Sequence, residues 1–275
     1  MGGSISALAF PAPTGDMDFY RAELMGRDDL VYLSTASEDD GRIPAVHVRS
    51  CSADAPPAER RMTILYSHGN AEDLGLHMPL VEALAEVSGC DVLSYEYVGY
   101  SLSKLEGKVA SESGCLRSID AAWRYLVESL SIPPGRIIIF GRSIGSGPTV
   151  DLASRECPGT QHSPLDAAGV LLQSPIASGA RAVLGTAASV VGYPLDIFRN
   201  YRKVHKIRAP VAIMHGTADE VVPCENGRAL FRSLQQPFAP LWMEGRGHND
   251  MPDTQVLEYA KLFAAKLNEA RAQSD

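Results

Sequence analysis

Apolar residues along this chain fall into short uninterrupted runs, set between longer stretches in which they recur at helical spacing. The runs at 30–34, 43–48, 62–66, 91–97, 137–140, 169–173, 210–215 and 240–244 read as strands. Helical periodicity covers 76–87, with Leu76, Leu80, Leu84 and Val87 on one stripe, and 111–130, with Ile119, Trp123, Leu126 and Leu130 on another. Further helices are predicted from the end of the 137–140 strand to about Arg155, over 225–234 and over 254–270. The polar turn Glu38–Arg42 makes the first two strands a hairpin. After it, strands and helices alternate. That order predicts an α/β fold with a mostly parallel central sheet of about eight strands and helices on both faces. One domain over 21–275 accounts for the whole pattern, with 1–20 as an N-terminal segment. The stretch 174–209 is a short cap or connection, with a helix near 180–190.

Composition narrows the class. Apolar residues make up 45% and charged residues 21% of the chain, as in globular proteins, and the net charge of −8 argues against a nucleic-acid partner. The five cysteines form no C-x-x-C pair, so neither zinc nor a disulfide framework is expected, and reduced thiols fit a cytoplasmic protein. No apolar run approaches the ~20 residues of a membrane-spanning helix. Met1-Gly2-Gly3-Ser4-Ile5-Ser6 fits the N-myristoylation pattern, which makes Gly2 a candidate lipid site and peripheral contact with the cytosolic face of membranes an expectation. A single myristoyl chain binds membranes only marginally, on the order of 10⁴ M⁻¹. No second anchor is visible near it.

The candidate chemistry centres on Gly141-Arg142-Ser143-Ile144-Gly145, a G-x-S-x-G motif between a predicted buried strand and a predicted helix. A turn this sharp needs glycine two positions either side of the serine and holds the hydroxyl clear of the sheet. In such a sheet the functional groups stand beyond the carboxyl ends of the strands. After the 210–215 strand comes His215-Gly-Thr-Ala-Asp219-Glu220, and after the last strand Glu244-Gly-Arg-Gly-His248-Asn-Asp250. The order Ser143, Asp219, His248 is that of an α/β-hydrolase triad: nucleophile, acid that orients the imidazole, and general base. Glu220 competes with Asp219 as the acid. Backbone N–H groups of Ile144 and Asn70 are the candidate oxyanion hole, with Ala71 the alternative to Asn70. His68 is expected to brace the oxyanion loop, His215 and Asp250 to pack loops, Glu96 and Tyr97 to line or support the site, and Cys224 to be a buried small residue. No cofactor or metal is expected.

Phrases outside these residues carry a more specific resemblance. Ser67-His-Gly-Asn-Ala71 with Asp73-Leu-Gly75, Ser118-Ile-Asp-Ala-Ala-Trp123, Pro148-Thr-Val-Asp-Leu-Ala-Ser154 and Gly247-His-Asn-Asp250 resemble the alpha/beta hydrolase domain-containing protein 17 subfamily. The resemblance runs from about Leu8 to the last helix. It implies a membrane-associated serine hydrolase that removes palmitate from protein cysteines, with S-acylated proteins as substrates. The chain lacks the subfamily's N-terminal cysteine cluster, has Arg142 where Gln is usual, and carries an apparent insertion at 158–166. A small cap leaves the serine open to an acyl chain on a protein surface, with an apolar groove expected nearby. The alternatives are a carboxylesterase or lipase on small or lipid esters, and a catalytically silent hydrolase fold acting as a binding module.

Overall fold

The computed structural model describes residues 10, 12–13, 16–53, 55–155, 163–184 and 196–273; Gly2, most of the 158–166 loop and 185–195 of the cap lie outside them. Eight strands form one sheet: β1 Leu30–Ser34, β2 Arg42–Val48, β3 Thr63–Ser67, β4 Asp91–Tyr95, β5 Ile137–Arg142, β6 Gly169–Gln173, β7 Val211–Gly216 and β8 Leu241–Met243. Their spatial order is β1-β2-β4-β3-β5-β6-β7-β8. The β1–β2 and β2–β4 pairs are antiparallel and all later pairs parallel, which is the expected architecture.

Two cores form because successive side chains of a strand point to opposite faces. Ile137 and Ile139 join the core beneath the helices Glu112–Arg124 and Ser146–Ala153. Ile138 and Phe140 join the one covered by Met78–Ser88 and Asp253–Ala272. Cover on both faces is why β3 to β7 read as unbroken apolar runs. At the edge, β1 leaves Tyr32 exposed and buries Leu33.

The first helix after β3 differs from the expected one. It starts at Met78 rather than Leu76 and buries Met78, Val81, Leu84 and Ala85. Pro79 sits in its first turn, where a proline ring and its missing N–H are tolerated, so the helix begins there. Leu76 stays in the loop, 52% exposed. The 111–130 helix is α-helical only over Glu112–Arg124, capped by Ser111 Oγ accepting the Gly114 N–H, and continues as a wider turn over Tyr125–Ser129. β4 stops at Tyr95, so Glu96 and Tyr97 leave the sheet at its carboxyl edge. Two short helices, Met17–Tyr20 and Ser101–Leu105, have no counterpart among the predicted elements. Tyr20 is buried and its hydroxyl donates to Asp73 at 2.8 Å, and Phe10 is buried as well, so these parts of the first twenty residues pack on the domain. No helix among the described residues is long and apolar enough to cross a membrane.

The last helix is anchored in the second core. Phe263 is fully buried there, with its ring edge-on to Phe238 at 5.0 Å between centroids. Phe263→Ala should lower the unfolding free energy by about 3–5 kcal/mol, measured by chemical denaturation.

Candidate active site

β5 runs into a single tight turn, Ser143–Gly145, and the helix Ser146–Ala153 follows without a break. Ser143 sits at φ +53°, in the left-handed region where a side chain is strained by ~1–3 kcal/mol. The flanking glycines are sterically required. A Cβ on Gly141 would lie 2.6 Å from the Gly145 carbonyl oxygen, and one on Gly145 would lie 2.3 Å from the Ser67 carbonyl oxygen. Ser146 locks the turn from below: its hydroxyl donates to the Ser143 carbonyl at 2.6 Å and accepts the Ile176 N–H at 3.1 Å.

His248 comes to this serine from the loop after β8, 105 positions away in sequence. Its Nε2 lies 2.9 Å from Ser143 Oγ and its Nδ1 2.7 Å from Asp219 Oδ2. Asp219 is buried and amply partnered: Oδ1 accepts the N–H groups of Val221 at 2.9 Å and Val222 at 2.7 Å, and Oδ2 lies 3.2 Å from His215 Nε2. Burial alone would raise its pKa. Hydrogen bonds from His215, His248 and Val222 outweigh burial and hold the carboxyl well below the usual carboxylate range. The neighbouring Glu220 is exposed, and the hydrogen-bond geometry singles out Asp219. His215 is fully buried against the acid and the Val222 carbonyl, and Asp250 accepts the Gly247 N–H within the histidine loop.

The loop after β3 lies against the elbow, since Gly145 packs onto the carbonyls of Ser67 and His68. The contact sets the start of that loop against the Gly145 end of the elbow, and within the loop Ala71 sits at φ +55°. The loop is held from beneath by buried polar groups. His68 Nε2 lies 2.9 Å from Glu96 Oε1, with both side chains fully buried. The other Glu96 oxygen accepts the Leu74 N–H at 2.9 Å. Tyr97 donates to the His68 carbonyl at 2.8 Å and Tyr100 to Asn70 Oδ1 at 2.7 Å. Burial pushes both phenols well above their ordinary pKa, so they remain donors. Glu96 and Tyr97 therefore support the loop rather than line the opening. Cys224 is buried, and burial pushes its thiol up.

A cleft of about 360 Å³ opens beside the site. His248, Arg142, Glu72 and Asn249 line it together with apolar residues such as Leu76, Leu80, Met251 and Leu257, whereas Ser143 is absent from its lining. His77, Gln173 and Asp253 line it too, so the cleft against the histidine is of mixed polarity rather than the apolar groove expected beside the serine. Two residues of the site had no signal in the sequence. Tyr100 is held by a helix that was not predicted, and Glu72 meets Arg142 across 70 positions of chain. The fold also gathers His68, Glu72 and His77, whose ligand atoms lie within 4.8 Å of one another, although no metal-ligand spacing joins them. Glu96 already holds His68, and Arg142 holds Glu72.

No family model matches the chain. It is 40% identical over 241 residues to alpha/beta hydrolase domain-containing protein 17B of Xenopus laevis, covering 87% of this chain and 77% of that one. To the human 17B protein it is 39% identical over the same shares. To mouse 17C it is 39% identical over 235 residues, covering 85% of this chain and 67% of the relative. Among solved structures, an esterase of Thermogutta terrifontis with propionate bound aligns at TM-score 0.63 and 20% identity, over 87% of this chain and 95% of that one. A puromycin-hydrolyzing peptidase of Mycobacterium tuberculosis aligns at TM-score 0.64 and 15% identity, over 88% of this chain and 40% of that one. Likeness at these identities is likeness of fold, the α/β-hydrolase fold.

The carboxylate geometry separates Asp219 from its neighbour. Asp219→Asn should slow labelling of the protein by a fluorophosphonate probe by about 10³–10⁴-fold, because the imidazole loses its tautomer and its counter-charge. Glu220→Gln should label within about twofold of wild type, since its exposed side chain is outside the relay. The depressed Asp219 pKa also has a stability signature. Its contribution is complete above the unfolded value of about 3.9 and is lost as pH falls through the folded value, so Asp219→Asn should flatten the acid-side decline in stability, followed by denaturation at stepped pH.

Proposed function

The chain belongs to the alpha/beta hydrolase domain-containing protein 17 family, and from that membership and the geometry of its site we propose that it is a serine hydrolase removing long-chain S-acyl groups from protein cysteines. The observation that carries the reading is the unbroken relay from Ser143 Oγ through His248 to Asp219. In this mechanism His248 takes the Ser143 proton as Oγ attacks the thioester carbonyl, and Asp219 stabilises the imidazolium that results. Backbone N–H groups of Ile144 and Asn70 receive the oxyanion. The carbon–sulfur bond breaks, and the cysteine thiolate takes the proton from His248. Water then enters the same relay, attacks the acyl-serine, and releases a fatty acid with Ser143 restored.

Three features favour a lipid thioester on a protein over a small polar ester. The resemblance in residues outside the triad points to that substrate class. The cap, confined to 174–209, is short beside a full lid domain. A cleft with apolar walls at Leu76, Leu80, Met251 and Leu257 among its polar groups adjoins His248, the group that protonates the departing thiolate. Peripheral membrane contact through a myristoyl group on Gly2 belongs to the same proposal, because it would hold the enzyme where acylated proteins reside.

The purified protein should hydrolyse an S-palmitoylated peptide, and Ser143→Ala should abolish both that activity and fluorophosphonate labelling. Activity confined to short esters would sink the depalmitoylase reading in favour of a carboxylesterase, and failure of wild type to label would favour a silent binding fold. Cells fed a myristate analogue should label the protein and not its Gly2→Ala variant; label that persists in the variant rules out that site.

A further inference from the structure

Arg142 precedes the nucleophile and ends β5, and its side chain meets a set of polar groups that no pattern in the sequence joins. Its guanidinium forms an ion pair with Glu72, where both side chains are largely shielded, at 15% and 23% exposure. Its second terminal nitrogen donates to Asn249 Oδ1 at 3.1 Å, on the residue next to His248. Glu72 in turn accepts the Gly69 N–H at 3.0 Å, at the start of the loop that carries Asn70 and Ala71. One continuous chain of contacts, Gly69 N–H to Glu72 to Arg142 to Asn249, thus ties the oxyanion loop, the elbow and the histidine loop together.

We propose that Arg142 and Glu72 are positioning residues, which hold the oxyanion donors and His248 in register with Ser143 without touching the reacting atoms. The inference rests on the hydrolase reading of Ser143. Its physical basis is that the histidine loop comes from a separate strand and meets the elbow through side chains, whereas the elbow and the start of the loop after β3 already pack backbone to backbone. The oxyanion loop contains Ala71 in a strained left-handed conformation, and the histidine loop is largely exposed from Glu244 to Asp250. Relaxation of either loop by a fraction of an ångström would lengthen catalytic hydrogen bonds. An ion pair shielded from water is strong enough to oppose that relaxation, and the planar guanidinium can serve Glu72 and Asn249 at once, which a lysine ammonium on a flexible stem does less well.

The two carboxylate oxygens of Glu72 allow the tie to be dissected. Glu72→Gln keeps an acceptor for the Gly69 N–H and removes only the charge that Arg142 binds, whereas Glu72→Ala removes both. The full-length protein and its variants are compared for kcat and KM on a chromogenic ester, for the rate of fluorophosphonate labelling, and for thermal midpoint. Arg142→Gln and Glu72→Gln should each lower kcat and the labelling rate by about tenfold while KM stays within about twofold and the thermal midpoint is nearly unchanged. Glu72→Ala should lose more than Glu72→Gln. The double variant Arg142→Gln/Glu72→Gln should be no slower than either single, because both remove one interaction. Arg142→Lys should recover part of the rate.

Single variants that keep wild-type kcat would overturn the inference. So would losses that fall only on KM, or losses that multiply in the double variant. A wild-type protein that neither labels nor turns over any ester would overturn the hydrolase reading and this inference with it. Loss of folding in Arg142→Gln is controlled by Glu72→Gln, which leaves the guanidinium and all backbone partners in place.

Discussion

The site depends on the close approach of the β5 elbow to the end of β3. Gly145 rests against the carbonyl oxygens of Ser67 and His68, and Gly141 against the turn of backbone that carries Gly145. That contact brings the serine to the same place as the loop 68–71, and it holds Ser143 in a conformation a free chain would leave. The strain is sustained because β3 and β5 are neighbours in the sheet, with Ser67 opposite Gly141. Ser146 closes the other side by bonding both the Ser143 carbonyl and the Ile176 amide. Backbone packed this tightly cannot drift, which is the condition for electrostatic preorganisation.

Around this fixed point the remaining groups are arranged by burial. Asp219 is stripped of most of its water but given two backbone amides and two histidines, so its charge is kept and aimed at His248. The loop after β3 has the same construction, where Glu96 and His68 pair in full burial and Tyr97 and Tyr100 donate upward to it. Isolated, each of these polar groups would be costly inside the protein. Joined as they are, they act as rigid supports beneath an otherwise irregular loop.

Much of the fold was legible because its strands are buried on both faces, and such strands stand out as uninterrupted apolar runs. The elbow was legible for a related reason: steric demand at Gly141 and Gly145 leaves no alternative to glycine, so the demand is written in the sequence. Helix starts were less legible. Periodicity placed Leu76 on a helix, whereas Pro79 sets the start at Met78 and leaves Leu76 as an exposed wall of the cleft. Tyr97 stood out beside Glu96 at the end of a strand, whereas Tyr100 gains its role only from its burial against His68 and Tyr97.

By itself the sequence determined the class of fold, the order of its strands along the chain, and which serine, acid and histidine could stand at the carboxyl edge. Local sterics and strand-scale hydrophobicity are properties of short segments, and short segments suffice to reveal them. Tertiary structure decided the rest: that Asp219 and not Glu220 faces His248, that the cleft lies against the histidine, and that Arg142 meets Glu72 and Asn249. Those facts depend on the directions of side chains brought together from loops 29 to 107 residues apart. Such directions follow from packing of the whole sheet and its helices, which no window of sequence contains.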